Sequence, residues 1–129
     1  MRQQSIHLPG VGHNAPIPLA ARVGPILATG GVAGIDPATG KIAEGGADAQ
    51  AKHAFQNMGN ILKAAGMDWG DVAKLTVFLV DDAHRGAINK YWLETYPDEH
   101  HRPARHSLVQ NLRGGVLLQI EALAVAKDA

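Results

Sequence analysis

The sequence predicts an α+β fold in which one mixed β-sheet carries two helices on the same face. Apolar residues recur at spacings of three and four in two segments, as in amphipathic helices, and they alternate or run together in shorter segments typical of strands. These segments follow one another as strands, helix, strand, helix, strand, strand, without internal repeats. This order favours helices gathered on one side of a single sheet.

The first strands are short and are separated by glycine and proline. Residues 5–8 are expected to form one strand, and residues 22–29 a second strand that Gly24 and Pro25 interrupt. Residues 36–40 read Asp-Pro-Ala-Thr-Gly, which is typical of a turn. Proline presets φ at the second position of such a turn, and glycine accepts the left-handed exit.

The clearest element is a helix that Asp48 is expected to cap and Gly66 to end. Its expected core residues are Ala51, Ala54, Phe55, Met58, Ile61, Leu62 and Ala65, and those expected to face water are Lys52, Gln56, Asn60 and Lys63. A second helix is expected to begin with Asp82 as its cap and to end before Pro97. The residues expected on its buried side are Ile88, Tyr91, Trp92 and Thr95.

The remaining elements are three strands and a loop. Residues 72–80 are almost entirely apolar, which is typical of a strand covered on both faces, so we expect them at the sheet centre. A charged loop is expected over residues 98–102, a strand over residues 105–111 and a last, largely apolar strand over residues 116–126. Because no third helix remains for the second face of the sheet, association of several copies is expected to cover it.

Composition excludes several classes of function. A chain of 129 residues with 46% hydrophobic residues predicts one domain over residues 1–129. Twelve Lys and Arg balance twelve Asp and Glu, and only two Phe, two Trp and two Tyr could stack on bases, so no nucleic-acid partner is expected. The absence of cysteine excludes disulfides and thiolate chemistry. Since no segment resembles a signal sequence or membrane span, we expect a cytoplasmic protein without a membrane partner.

Candidate functional residues lie in the last quarter of the chain, where Arg105 starts one strand and Gln119 and Glu121 interrupt another. Polar and charged side chains in such positions cost free energy unless something pairs with them. They indicate a pocket for a small anion, because a guanidinium can donate two parallel hydrogen bonds to a carboxylate. A structural ion pair of Arg105 with Glu121 or with a chain terminus is the alternative.

No cofactor or metal is expected. Asp98, Glu99, His100 and His101 are four potential ligands in succession. Adjacent residues rarely converge on one ion, so this segment is interpreted as a solvated polar loop.

Several separate segments resemble the RidA (YjgF-type) family of imine and enamine deaminases. They are Gly31 with residues 36–40, residues 64–66, residues 71–79, Asn89 with Tyr91, residues 103–105 and residues 120–125. The resemblance implies a chorismate-mutase-like fold and a homotrimer with a central β-barrel. It also implies three clefts between subunits, which bind small carboxylates and hydrolyse imines and enamines such as 2-aminoacrylate to 2-oxo acids and ammonia.

The resemblance also implies roles for individual residues. Arg105 matches the arginine that holds the substrate carboxylate, and Asn89 matches a polar residue near the cleft. Gly31, Ser107 and Ile17 fall at positions around the same cleft.

The chain departs from the family at the position of the catalytic glutamate, which is Gln119 here. An amide can orient water but cannot accept its proton. Glu121 lies on the same face about 7 Å further along, too far for a direct substitute. His106, with an ordinary pKa of about 6.5, suits proton exchange, but alternation places it on the face opposite Arg105. Ile17 stands where the family commonly has tyrosine.

Two hypotheses follow. The first is an imine or enamine deaminase whose activity is weak or altered because of Gln119. The second is a non-catalytic trimeric protein that binds small carboxylates or 2-oxo acids, as a metabolite sensor or accessory subunit. An endoribonuclease activity, a label that some family members carry, is least favoured because the chain is neutral and poor in aromatic residues.

Overall fold

A computed structural model describes residues 1–12 and 15–127, and it confirms the α+β fold with two helices on one face of a mixed sheet. The strands are β1 (Gln4–Ile6), β2 (Ala20–Val23), β3 (Ile26–Thr29), β4 (Val32–Ala33), β5 (Ile35–Asp36), β6 (Lys41–Ile42), β7 (Val72–Leu79), β8 (Ala104–Val109) and β9 (Leu118–Val125). The helices are α1 (Gly46–Ala64) and α2 (Arg85–Thr95).

The main sheet has the order β1-β2-β3-β9-β7-β8, and β4 pairs with β9 beyond the end of β3. Its pairs are antiparallel except β7 with β8, which run parallel. The helix α2 makes the crossover between these two parallel strands, as such a connection requires. β8 therefore forms one edge of the sheet, with α2 lying near it.

The predicted strand over residues 22–29 is in fact a hairpin. Gly24 takes a φ of +57°, a left-handed conformation that suits glycine, and the chain reverses there. Arg22 consequently pairs with Leu27 across the hairpin instead of continuing along one strand. The predicted turn over residues 36–40 is confirmed, since the carbonyl of Asp36 accepts a hydrogen bond of 2.8 Å from the amide of Gly40.

The helix α1 forms where the apolar spacing predicts it, but its predicted cap is wrong. It begins at Gly46, two residues before Asp48. The Asp48 carboxylate accepts hydrogen bonds from Lys90 Nζ at 3.2 Å and Tyr91 Oη at 3.1 Å, both on α2. The hydrogen bond from Lys90 is the main cause that lowers the pKa of Asp48. A residue predicted to cap one helix therefore joins the two.

The predicted cap of α2 is also displaced. Asp81, not Asp82, accepts the capping hydrogen bond, from the amide of Ala83 at 2.8 Å, and it begins a 3₁₀ turn over Asp82–His84. Asp82 instead binds the side chain of Arg85 at 2.7 Å.

Neither helix in residues 1–12 and 15–127 is long and apolar enough to cross a membrane.

The core lies between the helices and one face of the sheet, as predicted. All seven predicted core residues of α1 are buried, and its four predicted polar positions are exposed. Leu75, Val77 and Leu79 of β7 and Leu118 and Ile120 of β9 are fully buried beneath the helices. The largest fully buried side chains of β7 and β9 thus lie on this helix-covered face.

The opposite face of the sheet, here called the open face, carries no helix. β7 lies between β9 and β8, as expected of a central strand. Its alternate residues Thr76 and Phe78 are only partly buried, so the prediction that both faces of this strand are covered is wrong within a single chain. Large apolar side chains on this face are 37–48% exposed: Ile26, Leu108, Leu123 and Val125. The expected association of copies would cover these side chains, and it stays a prediction.

Two buried polar side chains, which the sequence patterns do not predict, attach α1 to β4, β5 and the residue before β9. Asn57 is 1% exposed, and its Nδ2 donates to the carbonyl oxygens of Ile35 at 2.9 Å and Ala33 at 3.3 Å. Gln50 accepts a hydrogen bond from the amide of Leu117 at 2.9 Å. These bonds fix β4 and the start of β9 relative to α1.

Replacing Asn57 by alanine should lower the free energy of unfolding by about 2 kcal/mol, because two buried carbonyl groups lose a donor. Urea denaturation followed by circular dichroism measures this loss. Asn60→Ala, at an exposed position on the same helix, is the matched control and should change the free energy by less than about 0.5 kcal/mol. Equal losses in both variants would contradict the anchoring role of Asn57.

Candidate functional site

Arg105 lies on the edge strand β8, with its side chain on the helix-covered face. It pairs with Leu75, which is fully buried on that face, and residues paired across a sheet share a face. The guanidinium carbon lies 5.2 Å from the centre of the Trp92 ring on α2. Its Nε donates a hydrogen bond of 3.1 Å to Oγ of Ser107, the next residue along the same face.

The positive charge of Arg105 has no acidic partner within the described part of the chain. No Asp or Glu oxygen of residues 1–12 and 15–127 lies within 4.0 Å of its guanidinium, and within those residues neither Nη atom donates a hydrogen bond. Burial lowers the pKa of Arg105, and the nearby charge of Arg85 lowers it further. Because an arginine pKa starts far above neutrality, the group stays charged.

The alternative of a structural ion pair between Arg105 and Glu121 is not realised. Glu121 pairs with Thr76 and lies on the open face, whereas Arg105 is on the helix-covered face. The C-terminal carboxylate, the other partner considered, lies outside the described residues.

Gln119 lies on β9 with its side chain on the open face, since its neighbour Ile120 is fully buried under the helices. Its amide crosses directly over Gly31. A Cβ atom at Gly31 would lie 2.7 Å from Nε2 of Gln119, so only glycine gives the amide this room. Ile17 precedes β2 and is 59% exposed. The loop that carries it is held near Gly31 by a hydrogen bond from the amide of Gly30 to the carbonyl of Leu19 at 2.9 Å.

Arg105 and Gln119 are too far apart within one chain to contact the same small molecule. Phe78 pairs with Gln119 on one side and with Leu108 on the other, and Leu108 lies three residues beyond Arg105. Standard sheet spacings then separate the Cα atoms of Arg105 and Gln119 by about 14 Å, and their side chains emerge on opposite faces. The chain thus presents an arginine half-site (Arg105, Ser107 and Trp92) and a separate glutamine half-site (Gln119 and Gly31).

His106 and Glu121, the two predicted proton-relay residues, share the open face. Both pair with Thr76, which places their Cα atoms about 10 Å apart with Thr76 between them. His106 therefore faces away from Arg105, as the alternation along β8 predicts. The structure does not bring either residue to the arginine half-site of the same chain, and their role as a relay stays a prediction.

Asn89 is exposed on α2, three residues before Trp92 and hence on the same side of the helix. Its predicted place near the substrate cleft stays a prediction. A contact between Trp92 and the guanidinium does not follow from the sequence pattern, which predicts only that Trp92 is buried. The order of the elements could have predicted this contact, because the helix that connects two parallel strands packs over the sheet next to the second strand.

The loop over residues 98–102 holds local contacts only. Nδ1 of His101 lies 2.9 Å from Oδ2 of Asp98, and the amide of His100 donates to the other oxygen at 2.9 Å. That backbone hydrogen bond is the main cause that lowers the pKa of Asp98. Across residues 1–12 and 15–127, no three His, Asp or Glu side chains come together to hold a metal ion. The absence of a resident metal stays a prediction.

Fold and site together define a class of protein: a small α+β chain with an arginine at a sheet edge that has no acidic partner among the described residues, and a glutamine over a glycine on the open face. The chain belongs to the endoribonuclease L-PSP family, also called the RidA family, whose family model matches residues 15–126. This confirms the resemblance found in the sequence.

Named relatives and a solved structure agree with this membership. The chain is 39% identical over 111 residues to the 2-iminobutanoate/2-iminopropanoate deaminase of Mus musculus, covering 85% of this chain and 81% of the relative. It is 36% identical to the Homo sapiens protein of the same name, covering 88% and 82%. RidA from the Antarctic bacterium Psychrobacter sp. PAMC 21119 has the same fold, with a TM-score of 0.83 at 28% identity, covering 97% of this chain and 98% of that one.

Proposed function

We propose that the protein hydrolyses small imines and enamines that carry a carboxylate, giving 2-oxo acids and ammonia, with Arg105 holding the carboxylate. The observation that carries this proposal is a half-buried guanidinium whose two Nη atoms have no acceptor within the described residues. An arginine in this state is suited to a bidentate carboxylate. The names of the mouse and human relatives specify substrates of this class, since 2-iminobutanoate and 2-iminopropanoate have a carboxylate beside the imine carbon.

Arg105 would act by orienting the substrate. Two parallel hydrogen bonds fix the carboxylate plane and hence the imine carbon next to it. Water adds to that carbon while the protonated nitrogen accepts the electron pair of the C=N double bond. The C–N bond of the resulting carbinolamine then breaks, and ammonia leaves as the C=O bond forms. One water is consumed, and the products are one 2-oxo acid and one ammonia.

We propose further that the complete site lies between copies of the chain in a homotrimer. A substrate such as 2-iminobutanoate is far smaller than the separation of about 14 Å between the two half-sites. A second copy can supply Gln119 and Gly31 to the Arg105 of the first. The exposed apolar side chains Ile26, Leu123 and Val125 on the open face provide the surface for such association.

Gln119 would position the attacking water in this arrangement. Its amide can both donate and accept a hydrogen bond, but it cannot take the proton that a glutamate would accept. Imines of this class already hydrolyse in water, so orientation without a general base still accelerates the reaction. We therefore propose an activity that is weaker than, or altered from, that of members with glutamate.

A carboxylate-binding protein without turnover is the second candidate, and Gln119 is the observation that favours it. Such a metabolite sensor or accessory subunit would use the arginine half-site and bind 2-oxo acids. Calorimetry with 2-oxobutanoate, combined with the hydrolysis assay below, separates the two.

The expectation that the chain has no nucleic-acid partner stays a prediction, which a filter-binding experiment with RNA at low salt tests.

Purified protein should accelerate imine hydrolysis, and Arg105 should be essential for it. An amino-acid oxidase generates the imine, semicarbazide traps what is not hydrolysed, and the fall in semicarbazone reports the activity. Arg105→Ala should abolish acceleration, and Arg105→Lys should lower kcat/KM by about 100-fold, because a lysine keeps the charge but loses the bidentate geometry. Absence of acceleration by the unsubstituted protein across several amino acids would sink the enzymatic proposal.

Gln119→Glu should raise kcat about 10-fold to 100-fold, because a carboxylate can accept the proton from water where an amide cannot. Glutamate has almost the shape of glutamine and fits over Gly31 in the same way. The rate of the variant should also fall at acidic pH as the new carboxylate becomes protonated. Gln119→Ala is the control and should be slower than the unsubstituted protein. A Gln119→Glu variant no faster than the unsubstituted protein would show that this position does not limit proton transfer.

A further inference from the structure

We infer that Trp92 is a positioning residue for Arg105: its ring holds the guanidinium in the orientation that leaves both Nη atoms for the substrate carboxylate. This inference rests on the proposed function, since it concerns the same half-site. It adds a second residue, on a different element, that sets the affinity for carboxylate substrates. Trp92 would act through Arg105 and not by touching the substrate.

The geometry restrains Arg105 from two directions. The guanidinium carbon is 5.2 Å from the centre of the Trp92 ring, within the range at which an aromatic face attracts a cation. Nε donates to Oγ of Ser107 at 3.1 Å, which limits rotation of the side chain. Together these contacts place the guanidinium carbon over the ring and engage its inner nitrogen. The two outer nitrogens, which form the fork that grips a carboxylate, are left over.

An aromatic partner differs from an acidic one because it leaves the Nη hydrogen-bond donors of Arg105 unoccupied. A carboxylate in the place of Trp92 would accept hydrogen bonds from the Nη atoms and neutralise the charge, so it would compete with the substrate. The π-face of Trp92 attracts the cation but accepts none of those hydrogen bonds in the plane of the guanidinium. It thereby offsets part of the cost of burying Arg105, whose lowered pKa shows that burial disfavours its charge. The charge remains for a ligand.

The ring of Trp92 is itself held in place. Its residue is 9% exposed, and its ring centre lies 5.1 Å from that of Tyr96. Tyr96 packs edge-on against Trp69 at 5.8 Å, and its Oη donates to the carbonyl of Trp69 at 2.8 Å. Three contacts in series, from Arg105 to Trp92, from Trp92 to Tyr96 and from Tyr96 to the carbonyl of Trp69, thus connect the guanidinium to the backbone. A restrained partner lowers the conformational entropy that substrate binding would otherwise cost.

Truncation of Trp92 should therefore affect binding more than chemistry. Trp92→Leu should raise KM in the semicarbazide assay, and Kd for 2-oxobutanoate in calorimetry, by about 10-fold, while kcat changes by less than about 3-fold. Trp92→Phe retains an aromatic face and should restore most of the affinity. Leu27→Ala is the control, because Leu27 is fully buried on β3, three strands away from β8, and lies outside the aromatic contacts that hold Trp92. It should lower thermal stability without a change in Kd.

A second experiment compares a series of proteins in one Trp69→Phe background, among which only the electrostatics of the Trp92 ring differ. The chain has two tryptophans, so Trp69→Phe leaves Trp92 as the single site for biosynthetic incorporation of fluorinated tryptophans. Fluorine withdraws electron density from the ring face and weakens its attraction for a cation with little change in shape. The Kd for 2-oxobutanoate should rise with each added fluorine, by about 2-fold to 5-fold over the series. A constant Kd would overturn the positioning role, even if Trp92→Leu fails to fold.

The outcomes separate this inference from the function on which it rests. If Arg105→Ala abolishes binding of 2-oxobutanoate but neither Trp92→Leu nor fluorination changes Kd, the proposed function stands and the role of Trp92 is refuted. If the unsubstituted protein neither binds 2-oxobutanoate nor hydrolyses imines, both are refuted. A parallel rise in Kd for Trp92→Leu and for the control Leu27→Ala would assign the effect to general loss of packing, which also refutes the positioning role.

Discussion

The site depends on one constraint: the guanidinium of Arg105 is half-buried at a sheet edge and keeps its charge without an acidic partner among the described residues. Charges in such places are normally paired, because leaving one alone costs free energy. Here Trp92 and Ser107 offset part of that cost without consuming the outer nitrogens. In the proposed function, a small carboxylate supplies the hydrogen-bond acceptors that the described residues leave open on Arg105.

The topology explains why one chain holds only half of what the proposed reaction needs. α1 and α2 cover a single face of the sheet, so Arg105 is directed toward α2, whereas Gln119 emerges on the open face, supported by Gly31. The buried amides of Gln50 and Asn57 fix the segments on either side of Gln119. The backbone on which Gln119 lies is thus held by α1, and assembly of copies is the proposed way to bring the two half-sites together.

Much of the fold could be predicted from the sequence, because burial imposes periodic patterns. The apolar spacing along α1 and the alternation along β9 both correspond to the observed core. Features that depend on residues distant in the chain could not be predicted. Asp48 is a residue type that often caps helices, but its carboxylate binds Lys90, 42 residues further along the chain. Asp82 differs, since it binds the nearby Arg85 and its neighbour Asp81 takes the capping role. The contact of Trp92 with Arg105 depends on where α2 crosses β8, whereas the reversal at Gly24 is local and had glycine followed by proline as its sequence signal.

For the site, local chemistry singled out Arg105 and Gln119, but only the sheet register shows that they lie on opposite faces of the sheet.

The most direct test of the proposed site is a crystal structure of the protein with 2-oxobutanoate. We expect the carboxylate on the two Nη atoms of Arg105, above the Trp92 ring, with the Gln119 amide of a second copy beside the keto carbon. A carboxylate bound elsewhere, or an acidic side chain of a neighbouring copy already paired with Arg105, would contradict it.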